Sequence, residues 1–178
     1  MENNPNSQGR PMLTGMFTDR ESTEKAYNAL HERGYTKDDV NLVMSDETRK
    51  RYYSDEDDDS DLGTKAAESA GTGSAIGGTI GAIAGVIAAI GTSLIIPGLG
   101  LVVAGPLAAG LAGAGAGGIT GGLIGALVGS GIPEDRAKMY ESGVKNGHVV
   151  MGVHPKNDDD ADYLAENWKT NRGQDIYR

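Results

Sequence analysis

Between Glu68 and Glu134 the chain carries no charged side chain, a run of about 65 residues made largely of Gly, Ala and aliphatic residues. This run constrains the fold more than any other feature. It is long enough for two helices with a turn near Pro97-Gly98-Leu99-Gly100. A first arm over residues 69–93 rises about 37 Å at 1.5 Å per residue, enough to cross a hydrocarbon core of about 30 Å. Ile76, Ile80, Ile83, Ile87, Ile90 and Leu94 recur at alternating spacings of four and three, one heptad-like stripe. Beside it Gly73, Gly77, Gly81 and Gly85 recur every fourth residue. The second arm repeats the pattern with Gly113, Gly117, Gly121, Gly125 and Gly129, while Leu107, Leu111, Ile119, Leu123, Ile124, Leu127 and Val128 fill its other faces. Pro106 is expected to start or kink this arm, because it lacks an N–H and crowds the preceding turn.

Each glycine inside a helix costs up to about 1 kcal/mol relative to alanine. Nine of them cost on the order of 9 kcal/mol, comparable to the stability of a whole domain. Close helix–helix approach along a glycine groove offsets such a cost. The nine glycines are therefore the candidate packing residues, and the expected architecture is an antiparallel glycine-zipper hairpin. A flexible linker is the weaker reading, since such linkers are rich in Gly and Ser and carry no heptad of isoleucines. Arms that are apolar all round fit a membrane span or a deeply buried helix.

The formal net charge of −9 lies entirely in the flanks, which makes nucleic acid an unsuitable partner. The chain has no cysteine, so disulfides and thiolate chemistry are excluded. Residues 1–11 are polar and without an apolar core, so disorder and no signal peptide are expected there. With the hairpin in a membrane, Arg49, Lys50, Arg51 and Lys65 before it and Arg136 and Lys138 after it place both flanks on the cytoplasmic side.

Residues 12–53 read as the first half of a small module. Met12 to Phe17 reads as a strand, and Thr18-x-x-Glu21 as a capping box opening a helix that Gly34 closes. Val40, Leu42 and Met44 share one face of a second strand. A short helix to about Tyr53 follows. Residues 54–68 form an acidic linker with six acids between Ser54 and Asp61; it lacks the fixed Gly and terminal Glu of an EF-hand loop and reads as a solvated spacer. Residues 69–132 are the hairpin. Residues 133–170 form the second half: Pro133 starts a helix, His148 to Val153 is a strand, and Asn157 or Asp158 caps a last helix with Leu164 and Trp168. Residues 171–178 read as a tail. The predicted fold class is thus α+β, a ferredoxin-like module of β-α-β and α-β-α halves split by the hairpin; three strands are evident, which leaves strand order open and leaves room for a fourth from a neighbouring chain.

No catalytic constellation emerges. His148 and His154 share strand parity, but neither they nor His31 have the companions of a metal site. The Gly-x-Gly spacings follow from glycine density and lack a phosphate-binding context. No metal, no cofactor and no enzymatic activity are expected.

Two stretches carry a resemblance. Residues 131–150 read G-I-P, acids, A-x-x-Y, E-x-G-V, a basic residue, G and an apolar strand. The front half holds F-T-D-R-x-x-x-E-x-A from Phe17 and V-x-x-V-M-S-D-E-T-R from Val40. With the glycine hairpin between them, these motifs resemble the bacterial general stress, heat-induced stress protein family. The resemblance implies a stress-linked α+β protein with no established catalytic residues. The expected function is a non-enzymatic stress-response protein at the cytoplasmic membrane, whose hairpin inserts in lipid or drives homo-oligomerisation. The alternatives are a cytoplasmic oligomer with the hairpins buried in a common core, and a small-ligand regulatory module.

Overall fold

The computed structural model describes residues 10–53, 94–96, 100–113 and 122–178. In chain order the elements are β1 (Leu13–Phe17), α1 (Arg20–Glu32), β2 (Val40–Ser45), α2 (Asp46–Tyr53), β3 (Leu94–Ile96), β4 (Leu101–Ala104), α3 (Pro106–Gly113), α4 (Gly122–Gly129), α5 (Glu134–Lys145), β5 (Val149–Val153), α6 (Asp158–Thr170) and β6 (Gln174–Tyr177). The fold is mixed α and β around one sheet of order β3-β4-β2-β5-β1-β6. Every neighbouring pair is antiparallel. The central strand β5 lies between β1, with Leu13 opposite Val153, and β2, with Val40 also opposite Val153.

Helices cover both faces. On the first, Ala26 and Leu30 of α1 and Leu164 and Trp168 of α6 pack on Leu13, Phe17, Leu42 and Met151. Trp168 meets Phe17 edge-on at 5.6 Å between centroids and donates its indole N–H to the Ala26 carbonyl at 3.3 Å. On the second face, α3, α4 and α5 bring Leu107, Leu123, Leu127 and Tyr140 onto Met16, Val43, Val103 and Val150. Strands buried on both sides require near-continuous apolar runs, which Leu42-Val43-Met44, Val102-Val103 and Val149-Val150-Met151 supply. Tyr140 fastens the second layer: its hydroxyl donates to the Asp175 carbonyl at 2.6 Å and meets the Thr14 hydroxyl at 2.9 Å. Burial, foremost, pushes the Tyr140 phenol above its ordinary pKa.

The local signals account for most boundaries. The N-cap of α1 is Asp19, whose carboxylate accepts from Ser22 N–H at 2.8 Å; Thr18 instead donates its hydroxyl to Asp19, so the cap lies one residue after Thr18 and the expected capping box does not form. Ser45 Oγ accepts from Thr48 N–H at the start of α2, Pro133 stands immediately before α5, and Asn157 caps α6 through the Asp160 N–H.

Three expectations change. Leu94 does not end a helical stripe: Leu94–Ile96 and Leu101–Ala104 are paired strands that extend the sheet beyond β2. Ile95, Ile96, Val102 and Val103 are β-branched and stiff at χ1, which suits a pleated surface more than a helix. Of the turn expected at Pro97–Gly100, residues 97–99 lie outside the described residues. Second, α3 begins at Pro106 as expected, but α4 then packs against α5 and joins the core of the second face, where the expected second arm is a partner of the first. Third, residues 171–178 are no tail. They hold β6, pairing Met16 with Gln174 and Thr14 with Tyr177 across a bulge, so the fourth strand of the module comes from the chain itself. The acidic residues 54–61, the first arm at 69–93 and residues 1–9 of the N-terminus expected to be disordered over 1–11 lie outside the described residues, while Arg10 donates to the Lys156 carbonyl at 2.9 Å.

Candidate functional site

Helix α4 reads Gly-Leu-Ile-Gly-Ala-Leu-Val-Gly, and its two sides differ sharply. Leu123, Ala126 and Leu127 are buried, at spacings of three and four that place them on one face, and Leu123 and Leu127 join the core shared by α3, α5 and the sheet. Gly125, Val128 and Gly129 form the other side and are exposed, Val128 at 43%. A methyl group added at Gly125 or Gly129 meets nothing within 4 Å among the described residues. The helix is complete without a partner at its end: Gly131 N–H reaches the Val128 carbonyl at 3.0 Å, Ile132 N–H the Leu127 carbonyl at 3.0 Å, and Ser130 Oγ donates to the Ala126 carbonyl at 3.0 Å. Ile132 is itself buried and anchors the turn into α5. The other large apolar side chain exposed among the described residues, Met139, lies on α5, which packs against α4.

Of the nine predicted packing glycines, the structure thus brings Gly125 and Gly129 onto one exposed face. Gly113 is the last residue of α3. Gly73, Gly77, Gly81, Gly85, Gly117 and Gly121 lie outside the described residues. The glycine spacing alone does not reveal which side of the second arm is already occupied. That signal lies in the Leu123/Leu127 pair, with Ala126 between them.

The layer is locked to the sheet by Asn41. Its Oδ1 accepts from Leu107 N–H at 2.7 Å, so a β2 side chain caps the first turn of α3. Its Nδ2 donates to the Gly152 carbonyl of β5 at 3.4 Å. Asn41 is 3% exposed, so these bonds have no competing water. Sequence reading passed over it because an Asn inside a strand signals nothing until its partner helix is placed.

Polar clusters elsewhere are occupied in holding the fold. Tyr35 OH donates to Asp160 Oδ2 at 3.0 Å and accepts from Lys156 N–H at 2.8 Å, while Arg33 reaches Asp160 Oδ1 at 3.2 Å. Burial, with the Asp160 carboxylate adding to it, pushes Tyr35 up to about 12. The cluster ties the segment after α1 to the start of α6. The histidines are separate: His148 Nδ1 contacts Met16 Sδ at 3.4 Å, His154 Nδ1 contacts the Arg10 carbonyl at 3.3 Å, and His31 is exposed at the end of α1. Among the described residues no group of three His, Cys, Asp or Glu is placed to hold a metal ion. Among them, too, no helix is long and apolar enough to cross a membrane. Comparison with family models, with curated proteins and with solved structures gave no match.

Proposed function

We propose that the chain is a non-enzymatic, self-associating protein of the bacterial stress response, in which a ferredoxin-like module presents glycine-bearing helices to copies of itself. The ferredoxin-like reading is supported by the strand order β2-β5-β1-β6, with α1 linking β1 to β2 and α6 linking β5 to β6. The insert between β2 and β5 then adds β3 and β4 to one edge and covers the second face with helices. The stress assignment rests on the motifs at residues 17–26, 40–49 and 131–150.

One observation carries the self-association: α4 buries Leu123, Ala126 and Leu127 in the module and turns Gly125, Val128 and Gly129 outward. Glycines there cost helix stability and serve no packing inside the described module. A second helix settling along them recovers that cost through close backbone contact. The second reading, insertion at the cytoplasmic membrane with cytoplasmic flanks, is favoured by the absence of charge from residue 69 to 133.

The test is Gly125→Leu combined with Gly129→Leu, read by sedimentation velocity and urea denaturation. Both positions face open space, so the urea midpoint should hold while the sedimenting mass falls to that of one 18.4 kDa chain. An assembly of unchanged mass contradicts the proposal. Wild-type protein retained in alkali-washed membranes favours the membrane reading instead.

A further inference from the structure

Among the described residues, the Tyr53 hydroxyl is the buried side-chain polar atom that makes no hydrogen bond of normal length; the Thr23 hydroxyl beside it donates to the Asp19 carbonyl at 2.7 Å. Tyr53 is the last residue of α2 and 6% exposed. Its ring lies 5.6 Å from the Arg20 guanidinium at the start of α1. Beside it Glu24, with a side chain 6% exposed, is held by Arg20 Nε at 2.8 Å. The docked position of α2 therefore keeps a dry hydroxyl close to a buried carboxylate. A phenylalanine would fill the same space without that cost, because an unmade hydrogen bond is penalised only when the polar group is there to lose it.

Apart from Tyr53 and the half-buried Tyr52, which packs on the same core, the rest of α2 gives little resistance to leaving. Its buried residues are Thr48 and Tyr53. The ion pairs Asp46–Arg49 at 2.9 Å, Asp46–Lys50 at 2.8 Å and Glu47–Arg51 at 2.7 Å run within the helix and travel with it. Hydrogen bonds from Asp46 N–H to the Gly100 carbonyl at 2.7 Å and from Thr48 Oγ1 to the Gly147 carbonyl at 3.2 Å join it to neighbouring loops.

We propose that α2 is a latch: it undocks as a unit while the sheet stays folded, and the unpartnered Tyr53 hydroxyl sets how often it opens. Opening returns Tyr53 OH and Glu24 to water. It also frees the Gly100 carbonyl at the β3–β4 turn. Opening also lengthens the connection from β2 to the end of α2 at Tyr53. Eight residues that span about 12 Å as a helix reach about 26 Å when extended.

Hydrogen–deuterium exchange on the full chain tests this. Residues 47–53 should exchange faster than the Val149–Val153 amides of β5, as a sub-global opening requires. Tyr53→Phe should slow exchange in 47–53 by about tenfold, by removing the penalty on the closed state. Tyr53→Ala should speed it, since the anchor is lost; should that variant fail to fold, Tyr53→Phe alone decides. Exchange of 47–53 in step with β5, or an unchanged or faster rate in Tyr53→Phe, overturns the latch.

Discussion

Gly105→Ala should cost roughly 3–5 kcal/mol and release α3 from the sheet. Gly105 stands between β4 and α3 at φ 91°, a conformation that costs an L-residue about 1–2 kcal/mol. The larger part of the loss is steric. A β-carbon there runs into the Val40 carbonyl oxygen, and Val40 is held in register opposite Val153 in the centre of the sheet. The backbone of β2 cannot retreat, so α3 must. Leu107 N–H then leaves Asn41 Oδ1, and a buried amide side chain loses its partner. Gly100→Ala is the matched control: φ is 60° and nothing lies within 4 Å among the described residues, so only the conformational cost of about 1 kcal/mol applies. Urea denaturation of the two variants separates strain from collision. Equal losses would mean that α3 does not sit where Val40 and Asn41 hold it.

Leu127→Ala and Leu123→Ala should each lower stability by about 2–5 kcal/mol. Leu123 is fully buried and Leu127 is 2% exposed, both in the core between α3, α4, α5 and the sheet. Truncation leaves a cavity that Val103 and Val43, fixed in the sheet, cannot fill. Against a total of 5–15 kcal/mol for an ordinary domain, either loss is severe. Val128→Ala, one residue along on the exposed side, should stay within about 0.5 kcal/mol. A helix facing lipid or solvent all round would show no such contrast, so denaturation midpoints of the three variants report which face of α4 the module uses.

The contrast between those faces also explains how far the sequence could be read. Helix starts were legible from local signals: Ser45 and Asn157 cap through bonds made within a few residues, Pro133 stands before α5, and Asp19 caps α1 one residue from where the sequence placed the cap. The strands β1, β2 and β5 were legible because their apolar residues bunch. What stayed hidden depends on partners far along the chain. Leu94 continued a helical spacing of isoleucines, yet Leu94–Ile96 becomes a strand because Leu101–Ala104, turning back from Gly100, offers it a partner that itself pairs with β2. Gln174–Tyr177 shows no alternation, and Asp175 adopts φ 48°, so only the exposed edge of β1 makes it a strand. The glycine series was legible as a packing signal, but its direction was not. Gly125 and Gly129 point away from the module because Leu123 and Leu127 point into it.

The most direct test of this arrangement is thiol labelling, which the absence of native cysteine makes clean. Ala126→Cys places a thiol on the buried side of α4, and Val128→Cys places one on the exposed side. The account predicts that Ala126→Cys stays protected at every protein concentration. Val128→Cys should react rapidly in dilute solution and slow progressively as copies associate over the glycine face. Equal labelling of the two positions, or a Val128→Cys rate indifferent to concentration, would contradict it.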